Sequence, residues 1–310
     1  LKFHRYNSHT RTAVEEHLAE GAGYAVNASG VVKIHLTVSP EHQNAFETLI
    51  SKVKSEYESL YKVKYEISYS IQKPSTDTIA VDMNNEPFRE SDGSIHFRPG
   101  GHGALLENLN DLNTDLIFIK NIDNISPDHL KSITIKYKKA LAGLLIRIKK
   151  QIKDFLTYLE WHDAYTDKRK HEIAEFIELY LGIKVRSIED NSIYAGYIKS
   201  ILDKPIRICG MVKNTGEPGG GPFWVYNKKG ELSLQIIESS QVDLMDSQQR
   251  DIFYSATHFN PVDIVCCTKD YAKNKYNLLK YRDNSTGFIT EKSYEGEKIK
   301  VQELPGLWNG

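Results

Sequence analysis

The first part of the chain alternates between helical and extended hydrophobic spacing. The stretch TAVEEHLAEGAGYAV places Val14 and Leu18 on one face of a helix. A strand is predicted for VVKIHLTV (31–38), and Pro40 then begins a predicted helix of about 15 residues. A second strand is predicted for YKVKYEISYSI (61–71), because its apolar and polar residues alternate with the period of a half-buried strand. The pattern therefore predicts helices and strands in alternation.

The alternation continues further along the chain. After a loop and a hairpin around SDGS, a helix is predicted for ALLENL and a strand for TDLIFIKNI. Beyond Pro205, strands are predicted for IRICGMV, PFWVYN, LSLQIIES and PVDIVCC. Helices interleaved with strands at this spacing indicate an α/β fold with a mixed, mainly parallel sheet covered by helices on both faces. In such sheets, a ligand binds outside the carboxyl ends of the strands.

Residues 126–205 break this pattern. The segments HLKSITIKYKKALAGLLIRIKKQIKDFLTYLEW and DKRKHEIAEFIELYLGI keep helical spacing and carry many lysines. We interpret the block as a helical insertion into an α/β domain formed by residues 1–125 and 206–310. Its charge indicates either a solvated outer face, which is the commoner case, or a docking surface for a partner.

Composition narrows the classes of function. Of the 310 residues, 40% are hydrophobic and 26% are charged, and the formal net charge of −1 gives no indication of nucleic-acid or membrane-surface binding. No apolar run approaches the roughly 18 residues of a membrane helix and no signal-peptide pattern is present, so a cytoplasmic location is expected. Cys209, Cys266 and Cys267 lack zinc-site spacing and are predicted to be reduced, partly buried thiols.

The segment RPGGHGALLENL places Gly101, His102 and Gly103 at the start of a predicted helix. Free N–H groups and the positive dipole end at a helix start suit an anion or the polar edge of a base, and glycine allows a ligand to approach the backbone. The alternative is a tight turn with a surface histidine. No second histidine or cysteine stands at metal-ligand spacing from His102, so zinc is not expected.

The predicted strand LIFIKNIDN ends on the polar residues Asn121, Asp123 and Asn124. The sequence leaves two explanations open. In the first, these residues cap the helix that begins near SPD. In the second, Asp123 helps to hold Mg²⁺, which takes one or two carboxylates and completes its octahedron with substrate phosphates and water.

Three later segments each allow a structural and a ligand-binding interpretation. The glycine run at 219–221 is costly to order, so it is either a flexible loop or a backbone platform against a ligand. Glu238 follows an apolar strand, where its carboxylate either accepts sugar hydroxyls or faces solvent. Phe259 and Asn260 precede the last predicted strand, and a simple Asn-Pro turn is the alternative.

In their order along the chain, these motifs resemble the UDP-glucose pyrophosphorylase and UDP-N-acetylhexosamine pyrophosphorylase group of nucleotidyltransferases. The matching elements are a strand carrying Gln72, then GGHG, NIDN, EPGGG, LQIIESSQV and HFN, spread over roughly residues 31 to 267 and interrupted by the helical block. The resemblance implies a glycosyltransferase-A-like, Rossmann-like fold. From GGHGAL and LPGLWNG, the chain is also identified as a member of an uncharacterised bacterial family designated a domain of unknown function.

The resemblance implies that a sugar-1-phosphate oxygen attacks the α-phosphorus of UTP, giving a UDP-sugar and pyrophosphate, or that the reverse reaction occurs. Such a transfer depends on positioning and charge neutralisation and needs no side-chain nucleophile. Asp123 would be the catalytic residue and would hold Mg²⁺ as cofactor. The implied nucleotide-binding residues are Gln72, Gly101, His102, Gly103 and Asn121, and the implied sugar-binding residues are Gly219, Gly220, Gly221, Glu238, Phe259 and Asn260.

Three departures from the family pattern bear on the activity. Ala104 stands where the glucose enzymes have Asp, Thr37 stands where the base-pocket strand has Met, and the FNPVD turn lacks the later asparagines. The family's Gly-rich triphosphate loop and a late phosphate-binding lysine are expected beyond the two ends of this chain, as in a fragment of a longer protein. Two alternatives therefore remain: an inactive nucleotide-sugar-binding or regulatory module, and a glycosyltransferase that consumes an NDP-sugar.

Overall fold

The computed structural model describes residues 2–216, 219–226, 230 and 232–307. The first helix begins with a capping box, because Thr12 and Glu15 each accept a hydrogen bond from the other's backbone N–H. In chain order, the helices of the described residues are α1 (Ala13–Tyr24), α2 (Pro40–Tyr61), α3 (Leu106–Asp111), α4 (Asp128–Trp161), α5 (Asp167–Leu181), α6 (Asn191–Leu202) and α7 (Ser247–Tyr254).

The strands are short, and most belong to small sheets of two strands. Within the described residues they are β1 (Lys2–Arg5), β2 (Thr10–Thr12), β3 (Val31–Val38), β4 (Lys64–Ile71), β5 (Asp77–Ile79), β6 (Phe97–Pro99), β7 (Ile117–Ile119), β8 (Ile206–Cys209), β9 (Val212–Lys213), β10 (Gly221–Tyr226), β11 (Leu232–Ile237), β12 (His258–Phe259), β13 (Ile264–Cys267), β14 (Phe288–Tyr294) and β15 (Glu297–Glu303).

The prediction of a mainly parallel sheet is wrong. β3 and β4 pair in parallel, but every other strand pair of the described residues is antiparallel, including those of the three-stranded sheet β7-β13-β8. The physical reason lies in the connections. Only residues 6–9 connect β1 to β2 and only residues 295–296 connect β14 to β15, which suits antiparallel pairing. A parallel pair would need a long crossover between its strands instead.

Helices α1 and α2 pack beside the parallel pair β3–β4. Leu18, Val32, Val53 and Tyr65 form the buried centre of this contact, and the Tyr65 hydroxyl donates to the Leu18 carbonyl oxygen at 2.7 Å. A second apolar layer surrounds the three-stranded sheet β7-β13-β8, here called the central sheet. The three cysteines lie on β8 and β13 of this sheet as free thiols, as predicted. These layers define a mixed α/β architecture.

Residues 126–205 contain α4, α5 and α6. Their apolar faces meet in a cluster that includes Phe155, Ile173 and Ile198. Leu145 of α4 packs against Val265 of β13, so the helices share a core with the central sheet. The division of the chain into a domain and an insertion stays a prediction. None of the helices in the described ranges combines the length and apolarity needed to cross a bilayer.

The C-terminal hairpin β14–β15 is an element that the sequence analysis did not predict. Its strands pair from Phe288–Glu303 to Tyr294–Glu297. Glu295 (φ 49°) and Gly296 (φ 90°) form a two-residue turn with both φ angles positive, the geometry that suits the twist of a hairpin. Ile299 and Val301 bury against Ala80, which anchors the hairpin to the preceding part of the chain.

Candidate functional site

A cavity of about 490 Å³, here called the main cavity, opens where several strands end. Two of its walls directly follow β7 and β11, a third lies at the end of β12, and a single 3-10 turn contributes a fourth. Five segments far apart in sequence meet in this space, whose volume is typical of small-molecule sites. The lining residues are His102, Asn121, Asp123, Asn124, Gly219, Gly220, Ile236, Glu238, Phe259, Asn260, Pro261 and Val262.

The turn at His102 is shaped by the segment that follows β15. Gly101 has a φ of 73°, in the left-handed region that favours glycine. Gly103 is buried, and a Cβ atom added to it would lie 2.8 Å from the Pro305 carbonyl carbon and closer still to the Leu304 carbonyl oxygen. Gly101 is therefore required by its backbone conformation, and Gly103 is required by packing against backbone. His102 is the residue of this turn that lines the main cavity, with its side chain exposed.

The segment from Asn121 to Asn124 forms a turn and does not cap a helix. The Asn124 N–H donates to the Asn121 carbonyl oxygen at 3.2 Å, and the Asn124 side-chain amide donates to the Pro261 carbonyl oxygen. Because α4 starts later, with Pro127 at its N-cap, the capping interpretation is wrong. The exposed Asp123 carboxylate forms no hydrogen bond or ion pair within the described residues.

Asn260 fixes the turn that forms the third wall. It is only 4% exposed. Its Nδ2 atom donates to the Gly210 carbonyl oxygen at 2.6 Å, its Oδ1 atom accepts the Val262 N–H at 2.9 Å, and its own N–H donates to the Gly220 carbonyl oxygen at 2.8 Å. These bonds hold Val262 at a φ of 56°, which is strained for a β-branched residue. Asn260 thus positions the wall that also carries Phe259.

Gly219 and Gly220 pack closely against neighbouring wall residues, including Glu238. A Cβ atom on Gly219 would lie 2.8 Å from the Phe259 ring, and one on Gly220 would overlap a side chain of β11. Glu238 follows β11 and is half-buried. Its carboxylate accepts the Gln241 N–H, while the Gln241 side chain accepts the Glu238 N–H at 3.0 Å. This reciprocal cap fixes the Glu238 carboxylate at the cavity wall.

Lys138 connects helix α4 to the cavity. It is fully buried and forms an ion pair with Asp263, the residue after Val262. Its Nζ atom also lies 5.7 Å from the centre of the Phe118 ring and 5.8 Å from that of Tyr24. Burial lowers the pKa of Lys138, although the Asp263 carboxylate opposes the shift. The turn next to the cavity is therefore braced by a charge from the helical block.

Several residues predicted from the sequence do not line the main cavity. Gln72 lies 3.4 Å from Thr76 Oγ1, in the loop after β4. Gly221 is the first residue of β10 and is buried. Gly103 lines a smaller, adjoining cavity, and Gly101 lines neither of the two. Glu217 and Pro218, which belong to the EPGGG motif, lie outside the described residues. The predicted ligand contacts of these positions stay predictions.

Most of the apolar lining was not predicted from the sequence. Ile236, Pro261 and Val262 stand next to predicted motif residues, but nothing in their residue type indicates a ligand contact. The charges on the wall come from Asp123 and Glu238, and no lysine or arginine lines the cavity in the described part of the chain. The arrangement offers carboxylates, amides, an imidazole and exposed backbone beside an apolar patch.

The fold and the site define a mixed α/β protein with a cavity lined by segments that follow β7 and β11, precede β10 and connect β12 to β13. The chain belongs to the family described as domain of unknown function (DUF4301), whose sequence profile matches residues 1–310. No curated protein matches the chain.

Two similar solved structures are single-residue mutants of UDP-glucose pyrophosphorylase from Leishmania major, each in complex with UDP-glucose. The first is 13% identical, with a TM-score of 0.46 over 98% of this chain and 54% of that one. The second is 16% identical, with a TM-score of 0.36 over 83% of this chain and 45% of that one. The chain thus spans about half the length of these structures.

Proposed function

We propose that the main cavity binds an NDP-sugar, or the nucleoside triphosphate and sugar 1-phosphate that form it, and that the protein acts in nucleotidyl transfer. One observation carries the proposal. The segments GGHG, NIDN, the glycine run, LQIIESS and HFN each contribute to the lining of one cavity. Those are the segments that resemble the nucleotidyltransferase pattern in sequence. In the reaction, a sugar-phosphate oxygen bonds to the α-phosphorus while the bond to the leaving pyrophosphate breaks.

The chemistry of each wall suits one part of such a ligand. Glu238 presents a fixed carboxylate, which accepts hydrogen bonds from sugar hydroxyls. Gly219 and Gly220 contribute to the lining, where backbone N–H groups can donate to oxygens of a sugar or phosphate. His102 and Asn121 offer the mixed donors and acceptors that recognise the edge of a base or a ribose. The residues bind and orient the reactants, which is the main requirement of phosphoryl-group transfer.

Asp123 suits a magnesium ion in this scheme. Its carboxylate is exposed on the cavity wall and has no partner within the described residues. No group of three or more metal-ligating side chains occurs among those residues, and Mg²⁺ needs only one or two carboxylates when substrate phosphates and water complete the shell. When bound, the ion would neutralise phosphate charge. Asp123 would hold it against the phosphates.

A second candidate is a nucleotide-sugar-binding module without catalysis. The observation that favours it is the lining itself, because no lysine or arginine lines the main cavity in the described ranges. Nucleotidyltransferases stabilise a leaving pyrophosphate with positive charge, usually from such side chains and a metal. A module that only binds an NDP-sugar needs less of that charge.

Thermal unfolding of the chain with and without Mg²⁺ tests the proposal. We expect UTP or a UDP-sugar to raise the melting temperature, and ligand at a hundred times its Kd stabilises by about 2.7 kcal/mol. The Asp123→Asn variant should lose the dependence on Mg²⁺ because the carboxylate ligand is gone. The matched control is Asp154→Asn, an exposed aspartate on α4, which should behave as wild type.

Pyrophosphate release from a panel of nucleoside triphosphates and sugar phosphates then separates the two candidates. Release that depends on Asp123 supports nucleotidyl transfer. Ligand-induced stabilisation without any release supports the binding module. Melting temperatures that no nucleotide or NDP-sugar changes would refute both.

A further inference from the structure

A second cavity of about 170 Å³ adjoins the main cavity. His102 and Glu238 line both cavities and separate them. The remaining walls come from the C-terminal hairpin and the turn it packs against: Gly103, Phe288, Thr290, Lys292, Glu303 and Leu304. The volume is several times the roughly 30 Å³ share of one water molecule, so it accommodates a small ring.

Strand geometry explains why the hairpin forms a wall of this cavity. Phe288, Thr290 and Lys292 are two residues apart on β14, so their side chains share one face of the hairpin. Glu303 is the cross-strand partner of Phe288 and lies on the same face. Ile289 points to the other side and is 57% exposed. Val301 and Ile299, the partners of Thr290 and Lys292, share this face but pack against Ala80. The residues of this face that line the cavity present one aromatic ring, one hydroxyl, one ammonium and one carboxylate.

The charges in the second cavity do not favour an anion. Glu238 and Glu303 contribute two carboxylates, whereas Lys292 contributes one ammonium. Lys292 Nζ lies 3.7 Å from Glu303 Oε1, and the Lys292 side chain is 45% exposed. The ammonium therefore has donors left for a ligand. Like charges at short range repel, so a phosphate would meet a net negative wall.

The polar and apolar groups together match a polyol ring. Thr290 Oγ1 is buried and has no hydrogen-bond partner among the described residues, which is rare in folded proteins. Carboxylates accept from ligand hydroxyls, while the ammonium donates to them. Phe288 and Leu304 supply apolar surface for the C–H face of a ring. A sugar or cyclitol has both hydroxyl groups and a C–H face, whereas water or a simple ion has no apolar face.

We propose that the second cavity is a separate binding site for one neutral polyol of monosaccharide size. Since His102 and Glu238 stand in both walls, a polyol bound there lies directly beside the ligand of the main cavity. The site does not depend on whether that neighbouring ligand undergoes nucleotidyl transfer.

Ligand-observed NMR titration of the full chain tests this site, with D-glucose and myo-inositol as neutral probes and inorganic phosphate as the charged comparison. We expect saturable millimolar binding of at least one polyol and no competing binding of phosphate. The Lys292→Met and Thr290→Val variants should each weaken polyol binding by about tenfold, the effect of one lost hydrogen bond to a bound ligand. Thr290→Val keeps the side-chain shape, so folding should be unchanged.

Two control variants locate the binding. Lys298 pairs with Ser293, between the inner-face positions of β14, and is 74% exposed on the outer face of the same hairpin, so Lys298→Met should leave polyol binding unchanged. Asp123→Asn lies in the main cavity and should also leave it unchanged. Polyol binding that is absent, that survives Lys292→Met and Thr290→Val, or that is lost with Asp123→Asn would overturn the proposal. Tighter binding of phosphate than of polyols would do so as well.

Discussion

The close packing of Gly103 against the residues after β15 leads to a prediction about stability. In Gly103→Ala, the new Cβ atom would lie within 3.0 Å of backbone atoms of Leu304 and Pro305, a separation that real Cβ atoms essentially never show. Backbone cannot move aside as a flexible side chain can. Overpacking of this kind costs about 1–3 kcal/mol, and the obstacle here places the expected loss near the top of that range.

Gly196→Ala is the matched control. Gly196 lies inside α6 and has no atom within 4 Å of an added Cβ. Alanine there should stabilise the protein by about 0.5–1 kcal/mol, because glycine is unfavourable within a helix. Urea unfolding followed by circular dichroism measures both variants. Gly103→Ala with wild-type stability would show that the glycine is not needed for packing, and a role in ligand contact would then explain it.

Two further predictions concern buried charges. Lys138→Met leaves the Asp263 carboxylate without its buried partner, so it should cost about 3–5 kcal/mol in urea unfolding, and a loss below about 1 kcal/mol would contradict this. For Glu16, burial raises the pKa, but hydrogen bonds from Lys131 and Tyr6 outweigh burial and lower the pKa below the ordinary value of 4.5. Its contribution to stability is therefore present above pH 4.5 and is lost as the pH falls through the lower folded-state pKa. Stability measured against pH should accordingly fall less steeply on acidification in Glu16→Gln than in wild type, and identical slopes would refute the assignment.

Local patterns were sufficient to predict several elements of the fold. The strand at 31–38 is found with the predicted bounds because an apolar run between turn residues has few alternatives. α2 is longer than predicted, at 22 residues, because its second half is rich in charge and the helix as a whole buries only Ile50, Val53 and Tyr57. Strand direction could not be predicted, since period-two alternation is the same in parallel and antiparallel pairs.

The candidate site was also predictable only in part. The polar residues at strand ends were recognisable, and His102, Asp123 and Glu238 do line one cavity. The hairpin β14–β15 was missed because FITEKSY and EKIKVQE are rich in charge and their Glu-Gly turn is a weaker signal than Asn-Gly. Whether Asn260 binds a ligand or holds a turn depends on partners such as Gly210, which only the folded chain reveals.

The packing of the His102 turn against Leu304 has a consequence for biosynthesis. The His102 turn packs against Leu304 and Pro305, which leave the ribosome long after the turn itself. Contacts so distant along the chain form slowly because a large loop must close first. The His102 side of the cavity therefore takes its final shape only after β15 has been translated and Leu304 has packed against Gly103.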